Sequence, residues 1–229
     1  MTALAVSASV YYSTARVNHE KYQVMGVDVS NYQGDIDWQA LEAQDISFAF
    51  IKATEGSGHV DESVRRNLDR AADTGIMVSA YHFFSFDSPG HTQAENFISA
   101  VPKEDIDMPP VVDLEYYGDK STNKPSREET EAILRPLLEE LEEFYGVTPI
   151  IYTTIPVYLR YVKSDFGEYP LWIRSVSFEP DLMDWKFWQY CDCGELEGYI
   201  GDEKYIDLDV YNGTQDEFLR EFGDKKERR

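Results

Sequence analysis

The stretch Pro110-Val111-Val112-Asp113-Leu114-Glu115 is an apolar run that ends in two carboxylates one residue apart. Because side chains on a strand alternate between its two faces, Asp113 and Glu115 project to the same side, with Cα atoms about 6 to 7 Å apart. Neighbouring carboxylates repel each other, so we expect their pKa values to separate and one group to hold a proton near neutral pH. Taken alone, such a pair is better explained by a strand that meets solvent at a polar end. The rest of the chain has to show whether the pair belongs to a functional site or to a polar strand end.

The composition describes one large, strongly acidic domain. The chain has 229 residues, of which 42% are hydrophobic, enough to build a real core. Its formal net charge of -22 comes from 43 acidic and 21 basic residues spread along the sequence. Phosphate binding needs a basic footprint, so the composition argues against nucleic acid as a partner.

The two chain ends differ from the interior. Residues 1–23 include a mildly apolar stretch, Ala3 to Val10, which is too short to span a bilayer. We interpret residues 1–23 as a leader, either the remnant of a signal or anchor segment or a loose extension. Residues 223–229 form a charged tail, and residues 24–222 are predicted to form one barrel domain.

Strand-like and helix-like segments alternate through most of the chain. The clearest helix begins at a capping box formed by Ser126 and Glu129 and stops at Gly146. Five strand-helix units are followed by three strands with few or no helices between them. This alternation predicts an α/β fold with a parallel sheet, a single irregular TIM-like barrel. The predicted strands are Met25–Val29, Phe48–Ala53, Met77–Phe84, Val111–Glu115, Thr148–Thr153, Pro170–Ile173, Lys186–Tyr190 and Tyr205–Val210.

Acidic or aromatic residues stand at nearly every predicted strand end. In a barrel these ends gather at one mouth, where such folds place their chemistry. A barrel with a purely structural role does not require acidic or aromatic residues at its strand ends. We therefore predict an acidic cleft lined with aromatic rings. The strand-end residues are Asp28, Lys52, Glu55, Tyr81, Asp113, Glu115, Tyr152, Trp172, Gln189 and Asp207.

Cys191 and Cys193 are the only cysteines. A bridge between residues two apart closes a small, strained ring, so two free thiols are favoured over a redox-labile pair. Two thiols with no nearby histidine make a poor zinc site, and no metal site is predicted.

Eight short motifs in order resemble the lysozymes of glycoside hydrolase family 25, the N-acetylmuramidases. No single motif establishes the resemblance, but together the eight motifs cover about residues 24 to 213. The motifs are Gly26-Val27-Asp28-Val29-Ser30 with Ile36-Asp37-Trp38, Phe50 to Gly56, Ala80-Tyr81-His82-Phe83, Pro110 to Glu115, Ile151-Tyr152-Thr153, Leu171-Trp172-Ile173, Trp188-Gln189-Tyr190 and Ile206-Asp207-Leu208.

The resemblance implies an enzyme that cleaves the β-1,4 bond between N-acetylmuramic acid and N-acetylglucosamine in peptidoglycan, without a cofactor. By motif position, Glu115 corresponds to the general acid and base. Asp113 corresponds to the carboxylate that stabilises the anomeric cation or orients the substrate's 2-acetamido group. Asp28 and Asp207 correspond to two further acids that surround this pair.

The other predicted site residues are assigned to substrate binding. The tyrosines are expected to donate hydrogen bonds, and the tryptophan to stack on a sugar. Each is also compatible with an ordinary core or rim position, and Lys52 and Glu55 with a pair at the rim. The set is Tyr81, Tyr152, Trp172, Gln189, Lys52 and Glu55.

Three features depart from the family pattern. Arg174 stands where the family usually has a small residue, and Cys191-Asp192-Cys193 replaces a turn rich in Ser and Thr. Asp209 stands where Asn is common, which adds a carboxyl close to Asp207. These departures leave the acid pair untouched.

Two other functions remain open at this stage. One is a catalytically silent peptidoglycan-binding module, and the other is a glycosidase that acts on another N-acetylated glycan such as chitin. The expected partners are peptidoglycan glycan strands, and the chain is expected to be a monomer without a dedicated membrane-spanning segment. We expect an extracellular, cell-surface or cell-wall location.

Overall fold

Eight strands close into the barrel at the centre of the molecule. A computed structural model describes residues 17–226 of the chain. Each strand pairs with its neighbours along the chain, and the first strand also pairs with the last, which closes the barrel. The predicted TIM-like barrel is therefore confirmed. The strands are β1 Met25–Val29, β2 Ile46–Glu55, β3 Met77–Phe83, β4 Val111–Leu114, β5 Ile150–Thr154, β6 Leu171–Arg174, β7 Phe187–Gly194 and β8 Ile206–Tyr211.

The direction of β8 corrects the prediction of a wholly parallel sheet. Strands β1 to β7 are parallel to their neighbours, whereas β8 runs antiparallel to both β7 and β1. The connection over residues 195–205 is too short for a helical crossover, so the chain returns directly. Asp207, predicted to end a strand, therefore lies near the start of β8. Because β8 is reversed, that start faces the same mouth as the ends of the parallel strands.

Helices cover the outside of the barrel between the early strands. The capping box predicted for α4 is confirmed, since Ser126 Oγ accepts from the Glu129 amide at 3.1 Å and Glu129 Oε2 accepts from the Ser126 amide at 2.9 Å. The helix ends at Gly146, which has a φ of 72°. The helices are α1 Trp38–Glu42, α2 Val64–Ala71, α3 Gly90–Ala100, α4 Arg127–Tyr145, α5 Ile155–Val157 with a π-helical turn Tyr158–Val162, and α6 Gln215–Lys226.

Aromatic side chains fill the lower half of the barrel. Phe50 stacks on Trp172 with ring centroids 4.1 Å apart, and Phe48 lies 5.1 Å from Phe187. Helix α6, which sequence analysis did not find, adds Phe218 to this cluster from below. The lower half of the barrel is thus filled by packed rings, and the cleft lies above them at the mouth.

Gly26 on β1 makes room for this aromatic packing. A Cβ at Gly26 would lie 2.2 Å from the ring of Phe48, which Phe50 and Phe187 hold in place. We expect Gly26→Ala to lower the free energy of unfolding by about 1–3 kcal/mol, because the ring has nowhere to move. Urea denaturation measures this. Gly58→Ala, where no atom lies within 4 Å of the added Cβ, is the control; equal stability of the two variants would contradict the packing argument.

The residues before β1 also contact the barrel. Tyr22 is 3% exposed, packs against Trp185 and Trp188, and donates a hydrogen bond to Glu179. The predicted leader falls mostly outside the described residues, as does the end of the predicted tail, so both domain boundaries stay predictions. No helix within residues 17–226 combines the length and the apolar character needed to cross a membrane.

Candidate active site

The strand ends at the mouth form a cleft of about 270 Å³. Nine of the ten predicted site residues line it. Glu55, the exception, is half-exposed at the end of β2, where its Oε2 lies 3.1 Å from the Nζ of Lys52. The nine lining residues are Asp28, Lys52, Tyr81, Asp113, Glu115, Tyr152, Trp172, Gln189 and Asp207.

Asp113 and Glu115 lie side by side in this cleft but in different surroundings. Asp113 is the third residue of β4, is 7% exposed, and has an Oδ1 without a hydrogen-bond partner among the described residues. Glu115 follows the strand and is more exposed. The alternation of β4 thus brings both carboxyl groups to one side, as the sequence predicts.

The electrostatics of the pair favour one shared proton. Burial, followed by the charge of Glu115, raises the pKa of Asp113 well above its ordinary value. Burial also raises the pKa of Glu115, while the positive charges of Arg174 and Lys52 oppose that rise. Two neighbouring carboxyls of this kind titrate as a unit, and the first proton is held to a higher pH than a free carboxyl holds it. The cleft therefore offers a proton donor beside a negative group.

Gln189 connects the remaining acids to a tyrosine. Its Nε2 donates to Asp28 Oδ2 at 2.6 Å and to Asp207 Oδ2 at 3.2 Å. Its Oε1 accepts from the hydroxyl of Tyr152 at 2.9 Å, which fixes the orientation of the amide. Tyr152 is in register with Asp113 on the neighbouring strand. The network therefore extends from β8 through Gln189 to Tyr152, on the strand beside Asp113.

Burial dominates the titration of the groups in this network. It raises the pKa of Asp207 to about 6, helped by the charge of Asp192 and opposed by Arg174. Burial, followed by the charges of Asp207 and Asp209, raises the pKa of Asp28 well above its usual range. Burial, followed by nearby carboxylates, also raises the pKa of Tyr81 and of Tyr152, so both hydroxyls keep their protons as donors.

Trp172 has a different environment from the one expected. It lines the cleft, but it is only 2% exposed and packs against Phe50, Tyr152 and Tyr81. Its Nε1 donates to Asp209 Oδ1 at 2.7 Å. Little ring face is left for a sugar, because the rings of Phe50, Tyr152 and Tyr81 cover it. In this arrangement Trp172 positions a carboxyl beneath the cleft.

Sequence reasoning missed several residues of the cleft wall. Asp192 lies in the wall and pairs with Arg174 at 2.6 Å. It reaches the cleft because the register between β7 and β8 shifts opposite Asp207, a feature that one sequence does not reveal. Tyr32 and Tyr205 are exposed aromatic rings at the rim. Their positions were the available signal, since Tyr32 lies between the two halves of the first motif and Tyr205 lies two residues before Asp207 in the last.

Two groups near the mouth have structural explanations. His82 is buried between Thr54 Oγ1, 2.7 Å from Nδ1, and Gln93 Oε1, 2.9 Å from Nε2, and burial lowers its pKa to about 4. It is therefore a neutral packed histidine. Cys191 and Cys193 are free thiols whose sulfur atoms lie 3.4 Å apart.

Comparisons with known proteins agree with this geometry. The sequence profile of the family described as Glycosyl hydrolases family 25 matches residues 27–199. A family 25 glycosyl hydrolase from Bacillus anthracis has a similar structure, with a TM-score of 0.85 and 47% identity over 93% of this chain and 99% of that one.

Two relatives found by sequence extend the comparison. YegX of Escherichia coli (strain K12) is 36% identical over 204 residues, which cover 86% of this chain and 72% of YegX. Lysozyme M1 of Streptomyces globisporus is 29% identical over 214 residues, which cover 83% of this chain and 68% of that lysozyme.

Proposed function

The chain belongs to glycosyl hydrolase family 25, and we propose that it cleaves the β-1,4 bond between N-acetylmuramic acid and N-acetylglucosamine in peptidoglycan. The resemblance inferred from the motifs is confirmed at the level of the family, and the chain is a glycoside hydrolase. The observation that carries the proposal is the acid pair, Asp113 and Glu115, in unequal surroundings within one cleft. Hydrolysis of a glycosidic bond requires one proton donor and one negative group, and this pair supplies both.

Glu115 is the proposed general acid. Burial raises its pKa, so it holds a proton to a higher pH than a free glutamic acid does. It donates that proton to the glycosidic oxygen as the bond breaks, and the resulting carboxylate then accepts a proton from the attacking water. Of the pair, it is also the more exposed carboxyl, which places it nearer to an incoming substrate.

Asp113 is the proposed negative partner: the one proton belongs to the pair, and when it lies on Glu115 the charge lies on Asp113. Its Oδ1 has no partner within the described residues, although the side chain is nearly buried. An oxygen of this kind is available to the N–H of a substrate acetamido group or to the developing positive charge at the anomeric carbon. We propose the first arrangement, in which the acetamido oxygen attacks and the configuration is retained. The hydroxyl of Tyr81 lies in the same cleft as a further donor, whereas that of Tyr152 already donates to Gln189.

Asp28 and Asp207 are proposed to set the charge balance around the pair. Both accept hydrogen bonds from Gln189, the charge of Asp113 acts on Asp28, and the charge of Glu115 acts on Asp207. The surrounding carboxyls favour retention of a proton on the acid pair, because removal of that proton adds another charge to an already acidic cleft.

Release of reducing ends tests the substrate assignment. Purified peptidoglycan and chitin are incubated with the wild-type protein, and new reducing ends are counted for each. The proposal predicts clearing of cell walls and release from peptidoglycan at a rate well above that from chitin. A faster release from chitin would indicate a different glycan, and binding to walls without any release would indicate a silent binding module.

The substrate also determines where the enzyme acts. Peptidoglycan lies outside the cytoplasmic membrane, so we propose an extracellular or cell-wall location for the active enzyme. The partner is then the glycan strand itself, and we propose that the enzyme acts as a monomer.

Salt is expected to increase the activity on intact walls. The protein carries a net charge of -22 and is repelled by anionic wall polymers, and salt screens this repulsion over about 8–10 Å at moderate ionic strength. The rate on whole walls should therefore rise with moderate salt, whereas the rate on short, neutral glycan fragments should not. The measurement is the initial rate on both substrates across a salt series. A rate on walls that falls steadily as salt is added would refute the argument.

A further inference from the structure

Asp209 is a carboxyl buried beneath the cleft, and the proposed mechanism assigns it no role. It is 0% exposed, and its Oδ1 accepts from Trp172 Nε1 at 2.7 Å. Its Oδ2 has no hydrogen-bond donor among the described residues. On the strand ladder it is opposite Gly26 on one side and Gln189 on the other. An unpaired carboxylate oxygen in such a place is costly, so the site requires an explanation.

The neighbouring group is a second carboxyl. Asp28 lies within hydrogen-bonding reach of Asp209, and it already accepts from Gln189 at 2.6 Å. Two carboxylates have no hydrogen between them and repel each other in a buried site. One proton between Asp209 and Asp28 removes the repulsion and gives the unpaired oxygen a partner.

We propose that Asp209 is a positioning residue that shares one proton with Asp28 and thereby holds Asp28 in place as the acceptor of Gln189. The oriented amide of Gln189 then holds the hydroxyl of Tyr152 and the carboxylate of Asp207. Asp209 does not line the cleft, so it acts through Asp28. An asparagine, common at this position in the family, supplies a donor without a titratable proton. In this chain the donor is the shared proton, and it depends on pH.

The surroundings support a proton held to high pH. Burial raises the pKa of Asp209 well above the ordinary value, although the hydrogen bond from Trp172 opposes it. Burial acts on Asp28 in the same direction. The other titratable groups that act on the two carboxyls are also acidic. They are Asp207 on β8, Tyr190 on β7, Asp113 on β4 and Tyr81 on β3.

A consequence for stability follows from this proton. The folded protein binds it over a range in which the unfolded chain has already lost it. The free energy of unfolding therefore falls as pH rises from the ordinary carboxyl pKa toward the raised folded value. A variant that lacks the shared proton should show a smaller fall in the free energy of unfolding over this pH range.

Comparison of Asp209→Asn with Asp209→Leu distinguishes a role for the shared proton from a role in packing alone. The amide of Asp209→Asn accepts from Trp172 and donates to Asp28, so we expect activity at the optimum within about threefold of wild type. We also expect a Tm that falls less than that of wild type between about pH 4 and pH 8. Asp209→Leu has a similar volume but no donor, and we expect kcat to fall up to about a hundredfold with little change in KM.

The outcomes distinguish this inference from the proposed function on which its activity readout rests. A Tm profile of Asp209→Asn that parallels wild type, or an equal loss of kcat in both variants, would overturn it. If Asp209→Leu does not fold, the Tm profiles of Asp209→Asn and wild type still test whether the proton is shared. If the wild-type protein does not hydrolyse peptidoglycan, the proposed function fails, whereas the Tm comparison continues to test the shared proton.

Discussion

Glu115→Gln is expected to lower kcat on peptidoglycan by about 10²–10⁴-fold while leaving the fold intact. Glutamine has nearly the same shape as glutamic acid but carries no transferable proton. Glu115 is only partly buried, and no strand hydrogen bond depends on it, so the barrel should tolerate the change. Substrate binding should be largely retained, because the lost interaction forms as the glycosidic bond breaks.

The measurement is the rate of reducing-end release as a function of pH. In wild type the rate should fall as pH rises through the raised pKa of Glu115, because the acid then loses its proton. Glu115→Gln has no proton donor at this position, so its residual rate should not show this fall. Glu139→Gln, on the exposed face of α4, makes the same chemical change away from the cleft and should match wild type. Full activity of Glu115→Gln would remove Glu115 from the mechanism.

Asp113→Asn is expected to lower kcat by about 10²–10³-fold. The amide is neutral, so it does not stabilise positive charge at the anomeric carbon, and it does not accept the acetamido N–H as strongly as a carboxylate does. At low pH the wild-type rate should fall as a second proton binds to the pair, and Asp113→Asn should lack this acidic limb.

Asp73→Asn is the matched control for this variant, because Asp73 is exposed after α2 and does not line the cleft. Added azide provides a second readout. In Asp113→Ala, where truncation of the side chain leaves room for the anion, azide can replace a lost direct nucleophile but not a lost orienting group. We expect no rescue, since the acetamido group is the proposed nucleophile. An unchanged kcat would contradict the assigned role of Asp113.

Much of the site could be predicted because parallel strands bring their ends together. Asp28 and Asp113 are far apart in sequence, but each ends a β strand in a β/α alternation, and so both belong to one mouth. The capping box of Ser126 and Glu129 is a local signal and was confirmed by its hydrogen bonds.

Other features depend on contacts that a single sequence does not show. The hydrophobic pattern of β8 is the same whichever way the strand runs, so the sequence does not reveal its reversal, which follows from its antiparallel pairing with β1 and β7. Asp192 reaches the cleft through a register shift. The covered ring of Trp172 depends on Phe50, which lies on a distant strand. Each of these features arises from tertiary packing rather than from local composition.

The most direct test of the central claim is mass spectrometry of the fragments released from purified peptidoglycan in water enriched with heavy oxygen. The proposed chemistry predicts fragments that end in reducing N-acetylmuramic acid and carry one heavy oxygen at the anomeric position, with none released by Glu115→Gln. Fragments that end in reducing N-acetylglucosamine, or equal release by the variant, would contradict it.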